Sequence, residues 1–82
     1  MYKGKLLERI EINPKVMVGK PVIRGTRLTV QYVLGLLARG ATIDDILGEY
    51  KQVTREDILA CLLFGAEALA DTTFVPLTTE AG

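Results

Sequence analysis

Residues 29–58 read TVQYVLGLLARGATIDDILGEYKQVTREDI, and this stretch decides the fold. Threonine stands at 29, 42 and 54, each time at the head of a segment with helical periodicity. A threonine hydroxyl at that position accepts a hydrogen bond from a first-turn N–H that has no partner within the helix, so three helix starts are predicted. In the first helix, Val30, Val33, Leu34 and Leu37 recur at the spacing that turns one stripe to a core, with Leu28 and Val33 placed as a hydrophobic staple. Gly40 fits the residue after the helix end, where a left-handed backbone is needed, and Arg39 suits the negative end of the dipole. The second helix opens with Asp44 and Asp45 near its positive end and turns Ile43, Ile46, Leu47 and Tyr50 inward. The third carries Glu56 and Asp57 in its first turn, with Val53 and Ile58 as staple, and runs to about Ala70. The predicted helices are therefore about 29–39, 43–50 and 54–70.

The segment 7–25 reads differently. Leu7–Ile12 is too short and irregular for a helix ahead of Asn13-Pro14, a turn signal because proline biases its predecessor away from helix. Val16-Met17-Val18 and Pro21-Val22-Ile23 are short apolar runs divided by Gly19-Lys20, predicted as strands or extended segments. Past the third helix, residues 71–82 hold Pro76 and four threonines and cannot continue it; a disordered tail or an extended arm is expected. The fold expected is mainly α: one three-helix domain over residues 1–70, with a short N-terminal β-hairpin or extended segment, followed by a tail over 71–82.

Size and composition narrow the function. Eighty-two residues allow one core, and a 49% apolar fraction with 24% charged residues fits a globular chain. No run approaches the length of a membrane span and no signal-peptide pattern opens the chain, so a cytoplasmic location is expected. The lone Cys61 offers neither a disulfide framework nor metal-ligand spacing and reads as a small buried hydrophobe. Histidine and serine are absent, which removes the commonest general base, the commonest metal ligand and the serine nucleophile. Gly19-Lys20 resembles the end of a phosphate loop but is followed by Pro21, where that loop needs serine or threonine. The pairs Asp44–Asp45 and Glu56–Asp57 are explained by the helix dipole. No catalytic residue, metal or cofactor is expected.

Two features point to binding. Ile58–Ala66 is apolar around its whole circumference, and two short helices cannot cover every side of it. A homodimer packed on Leu59, Leu63, Phe64 and Ala68 is predicted, rather than a monomer with an apolar exposed face. The charge is also uneven: residues 1–27 carry seven basic against two acidic side chains, residues 28–82 three against eight. That asymmetry implies either a basic surface for nucleic acid or an acidic partner, or neutralisation within the fold or across a dimer. The second and third helices have helix-turn-helix spacing, but the groove-facing start of the third would be Thr54, Arg55, Glu56 and Asp57, and the acids oppose phosphate binding.

The run GKPVIRGTRLTV over 19–30, preceded by Asn13-Pro14, resembles the bacterial family known as domain of unknown function 433. So do Leu37-Ala38-Arg39-Gly40, Ile43–Leu47, Tyr50 and Val53–Ile58, and the likeness covers roughly residues 8–70. The resemblance implies a homeodomain-like helix-turn-helix fold and a VapB-like antitoxin role, encoded beside a PIN-type ribonuclease toxin. Within the motif, Gly19 and Gly25 permit tight turns, Pro21 stiffens the extended segment and Thr26 can cap nearby backbone. Arg24 and Arg27 are then either paired with acids such as Asp44 or Glu49, or free to touch phosphate or an acidic partner. The reading adopted is an antitoxin-like dimer that binds a toxin, with 71–82 as candidate arm, and operator DNA through Lys20, Arg24, Arg27 and Arg55. The rival is a protein–protein interaction module that binds no DNA and catalyses nothing.

Overall fold

A computed structural model describes residues 3–70; the tail 71–82 lies outside the described residues. Four helices and two short strands follow in the order α1 (Lys3–Leu7), β1 (Ile10–Glu11), β2 (Val22–Ile23), α2 (Val30–Ala38), α3 (Ile43–Glu49) and α4 (Arg55–Leu69). The fold is the mainly helical bundle expected, with a two-stranded antiparallel sheet before it. Among the described residues no helix is long and apolar enough to cross a membrane.

The threonine starts are where the spacing put them. Thr29 Oγ1 accepts from the Tyr32 N–H at 3.0 Å, and Thr42 and Thr54 do the same for Asp45 and Asp57. In the last two the acid reaches back: Asp45 Oδ2 accepts from the Thr42 N–H and Asp57 Oδ2 from the Thr54 N–H, each at 2.9 Å. These are reciprocal capping boxes, so each pair satisfies two orphan donors rather than one. The Thr42 backbone N–H first, and its hydroxyl second, hold the Asp45 carboxyl below its ordinary pKa. At the end of α2, Gly40 adopts φ +103°, the left-handed stop expected of it.

The core gathers residues of α2, α3 and α4 with the two strands and Val53: Ile10, Ile23, Val30, Val33, Ile46, Val53, Ile58, Ala60 and Cys61. Leu34, Leu37, Ile43, Leu47 and Tyr50 pack against its edge, as their periodicity required. Strand register pairs Ile10 with Ile23 and Glu11 with Val22. The hairpin's far side closes locally, with Ile23 N donating to Leu28 O and Val30 N to Pro21 O. Helix α4 is the hub, touching α1, β1, α2 and α3. At Gly65 a Cβ would stand 3.0 Å from Leu34 Cδ1, so α2 and α4 approach closely there.

Two N-terminal expectations are corrected. Residues 3–7 form α1, a fourth helix that the sequence reading did not include. Its five residues are too few for independent stability, and packing on α4 supplies what length does not. Val16-Met17-Val18 is not a strand: Met17–Gly19 is a single 3₁₀ turn. Met17, Val18 and Gly19 have φ of +51°, +56° and +80°. Val18 is 91% exposed, so no packing rewards a β-branched residue for that left-handed backbone.

Candidate functional site

Lys20, Arg24, Arg27 and Arg55, expected to act as one set, are divided three ways by the fold. Arg55 pairs with Asp44 at 3.7 Å, both well exposed. Arg24 turns back to the N-terminus, its Nε donating to Glu8 O at 2.9 Å. It lines a depression shared by Lys5, Arg9, Glu8, Glu56 and Asp57, where opposite charges meet. Among the described residues neither Arg24 nor Arg27 pairs with Asp44 or Glu49, so the partners suggested for them are not found. Lys20 and Arg27 do come together. They line an open depression of about 710 Å³ between the Met17–Gly19 turn and α2.

A third cation completes that depression. Arg39, counted in the sequence only as a dipole partner, also lines it. Its guanidinium lies back along α2, 3.7 Å from where a Cβ on Gly35 would be. Tyr32 and Tyr50 form another part of the wall. Their rings meet edge to face with centroids 6.5 Å apart, and their hydroxyls share a 3.0 Å hydrogen bond. That bond first, then burial and the neighbouring Tyr32 and Glu49, raises the Tyr50 pKa. Gln31, Leu28 and Thr29 supply the rest of the lining with Met17 and Gly35, and no carboxylate is among them. A signal for the missed residues was present: Tyr32, Gly35 and Arg39 are spaced three and four apart on α2, hence on one face.

Chain geometry explains why Lys20 and Arg27 converge. Gly19 and Gly25, at φ +80° and +82°, turn the backbone at either end of the Pro21–Arg24 segment. Thr26 locks the second turn, its hydroxyl donating to Ile23 O at 2.8 Å while accepting from the Leu28 N–H at 3.0 Å. A side chain on so short and pinned a loop is well positioned for its length.

Helix α4 presents the other candidate surface. At 100° per residue, Leu59, Leu62, Leu63, Ala66 and Leu69 share one side, away from Asp57, Ile58, Ala60 and Cys61 in the core. Leu62 is 43% and Leu69 67% exposed. The four residues predicted for a dimer do not form one patch. Leu59 and Leu63 lie on this outer side, whereas Phe64 packs against the core edge and Ala68 stands near it, beside Leu7, Ile10 and Ile12. The start of α4 is also engaged: Asp57 is 7% exposed and its Oδ1 accepts from Arg9 NH1 at 3.1 Å. Cys61 is fully buried, and burial first, with the charge of Asp57 second, pushes its thiol up to about 12. Among the described residues, no group of three or more Cys, Asp or Glu side chains is placed to hold a metal ion.

The family described as protein of unknown function (DUF433) matches over residues 10–64. A crystal structure of a DUF433 member protein from Anabaena variabilis superposes with a TM-score of 0.71 at 30% sequence identity. The match covers 80% of this chain and 65% of that one, so the chain spans just under two thirds of that protein's length. No curated protein matches the chain.

Proposed function

The chain belongs to the DUF433 family, and from that premise we propose that it is an antitoxin-like binding module, working through protein contacts on α4 and without catalysis. The observation that carries this reading is the outer side of α4, where Leu59, Leu62, Leu63, Ala66 and Leu69 run the length of the helix with Leu62 and Leu69 open to water. Leu59, Leu62, Ala66 and Leu69 alternate spacings of three and four, the pattern of a helix seam that packs on another helix. Covering the open part of each leucine contributes about 1 kcal/mol, and a two-fold axis doubles the number covered. A second copy of the chain is therefore the first partner. The VapB-like role implied by the family resemblance makes a PIN-type ribonuclease the second.

Operator DNA is the part of the antitoxin reading that α4 supports least. In a helix-turn-helix the outward side of the second helix enters the major groove and reads donors and acceptors on base edges. Here that side carries Glu56 and leucines, and its one cation, Arg55, faces Asp44. Such a surface suits a protein.

Sedimentation equilibrium tests the pairing. The wild-type chain should be dimeric at about 100 μM, and Leu62→Glu monomeric with its helical circular dichroism intact; a monomeric wild type, or a variant that stays dimeric, refutes it. The antitoxin role requires a PIN-type ribonuclease gene beside this one, and that enzyme supplies the test. Its RNA cleavage should stop at a stoichiometric amount of the chain, and undiminished cleavage in excess chain rejects that role.

A further inference from the structure

The depression between the Met17–Gly19 turn and α2 has a chemistry that protein pairing through α4 does not use, and no residue of α4 lines it. We propose that it is a binding site for a phosphate group borne beside a nucleobase, either in a free nucleotide or in single-stranded nucleic acid.

Three cations, Lys20, Arg27 and Arg39, open onto one concavity with no carboxylate in its lining. Among the described residues, none of the three has a side-chain hydrogen bond or ion pair. Every other arginine of the chain is engaged: Arg9 with Asp57, Arg24 with Glu8 O and Arg55 with Asp44. Like charges that open onto one depression repel unless an anion joins them. Of the common biological anions, phosphate matches the planar fork of arginine through two parallel hydrogen bonds, and a lysine adds a point charge. Gly35 leaves room for the Arg39 guanidinium to lie against the helix.

The walls add the base. Tyr32 is 43% exposed, and the hydroxyl bond to Tyr50 fixes the pair edge to face. A fixed, partly open ring is a stacking platform for a base, indifferent to which base it is. Exposed Gln31 carries an amide able both to donate to and accept from a base edge. The volume of about 710 Å³ lies within the range of small-ligand sites. The left-handed Met17–Gly19 backbone immediately precedes Lys20, and the strain at its two non-glycine residues is of the kind that persists where it positions a functional group.

The test uses the whole chain and reads nothing that depends on dimerisation or on a toxin. ¹H–¹⁵N spectra are recorded at ~50 mM salt during titration with AMP, adenosine, inorganic phosphate and a twelve-residue oligothymidylate. AMP should shift the amide signals of Lys20, Arg27, Tyr32 and Arg39, inorganic phosphate should shift them at higher concentration, and adenosine should leave them in place. The double variant Arg27→Gln/Arg39→Gln should bind AMP at least ten times more weakly, since hydrogen bonds to charged groups are worth about tenfold or more in affinity each. Arg55→Gln should bind like wild type. An oligothymidylate that binds more tightly than AMP, with a steeper loss in salt, identifies nucleic acid as the source; equal affinities identify the free nucleotide. No shift with millimolar AMP and oligonucleotide, shifts confined to other residues, or undiminished binding by the double variant overturns the proposal.

Discussion

Replacing Asp57 by alanine removes two interactions with one carboxylate. Asp57 Oδ2 closes the α4 capping box on the Thr54 N–H at 2.9 Å, and loss of such a cap costs about 1 kcal/mol. Asp57 Oδ1 takes the Arg9 hydrogen bond at 3.1 Å. A buried charge pair loses about 3–5 kcal/mol when broken, whereas an exposed one is worth about 0.2–1 kcal/mol. The Asp57 side chain is 10% exposed but that of Arg9 is 42% exposed, so Arg9 regains water when its partner goes and about 1–1.5 kcal/mol is the better figure. Together these give a loss of about 2–2.5 kcal/mol, against a total stability on the order of 5 kcal/mol for so small a domain. Urea unfolding followed at 222 nm measures it directly. Thr54→Ala, which removes the cap but leaves the ion pair, should lose only about 1 kcal/mol. A double-mutant cycle with Arg9→Ala should return a coupling near 1 kcal/mol. If Asp57→Ala costs no more than Thr54→Ala, or the cycle returns zero, the account of Asp57 as the clamp between N-terminus and α4 is wrong.

Gly48 lies inside α3 with nothing within 4 Å of where its Cβ would be, so Gly48→Ala should raise stability by about 0.5–1 kcal/mol in the same assay. A loss there would mean that this side of α3 is covered. The Cys61 thiol should resist a disulfide reagent at pH 8 until the chain unfolds, and reaction at the rate of a free thiol would contradict its burial. Its folded pKa, pushed up to about 12, stands above the ordinary 9.0. The unfolded chain therefore gives up that proton first. This contribution to stability is complete below pH 9 and is lost as pH rises toward 12, a part of the alkaline decline that Cys61→Ala should lack.

What the sequence made legible was local. A threonine and the amide it caps are three residues apart, and so are Thr54 and the Asp57 that answers it. The apolar stripes of α2 and α3 were readable for the same reason, as was the turn locked by Thr26. Non-local partners were not. Asp57 was taken as a dipole partner because nothing near it announces Arg9, 48 residues earlier. Helix α1 exists through its packing on α4, and a five-residue stretch containing glycine carries no signal of that. Val16–Val18 has strong β propensity, which the left-handed turn at Met17-Val18 overrides. The grouping of the basic side chains is non-local too: Lys20 and Arg27 are neighbours of Arg39 only once α2 folds beside their loop.

Helix α4 gives α1, β1, α2 and α3 something to rest on, and it is the last helix among the described residues to be made. During synthesis the hairpin and the first three helices leave the ribosome without their common support. Five-, nine- and seven-residue helices are too short to persist alone. They stay open until the matching surface of α4 has itself left the ribosome. Folding is thus held back until that helix emerges, and a nascent chain stalled before that point offers a cellular protease an unprotected segment.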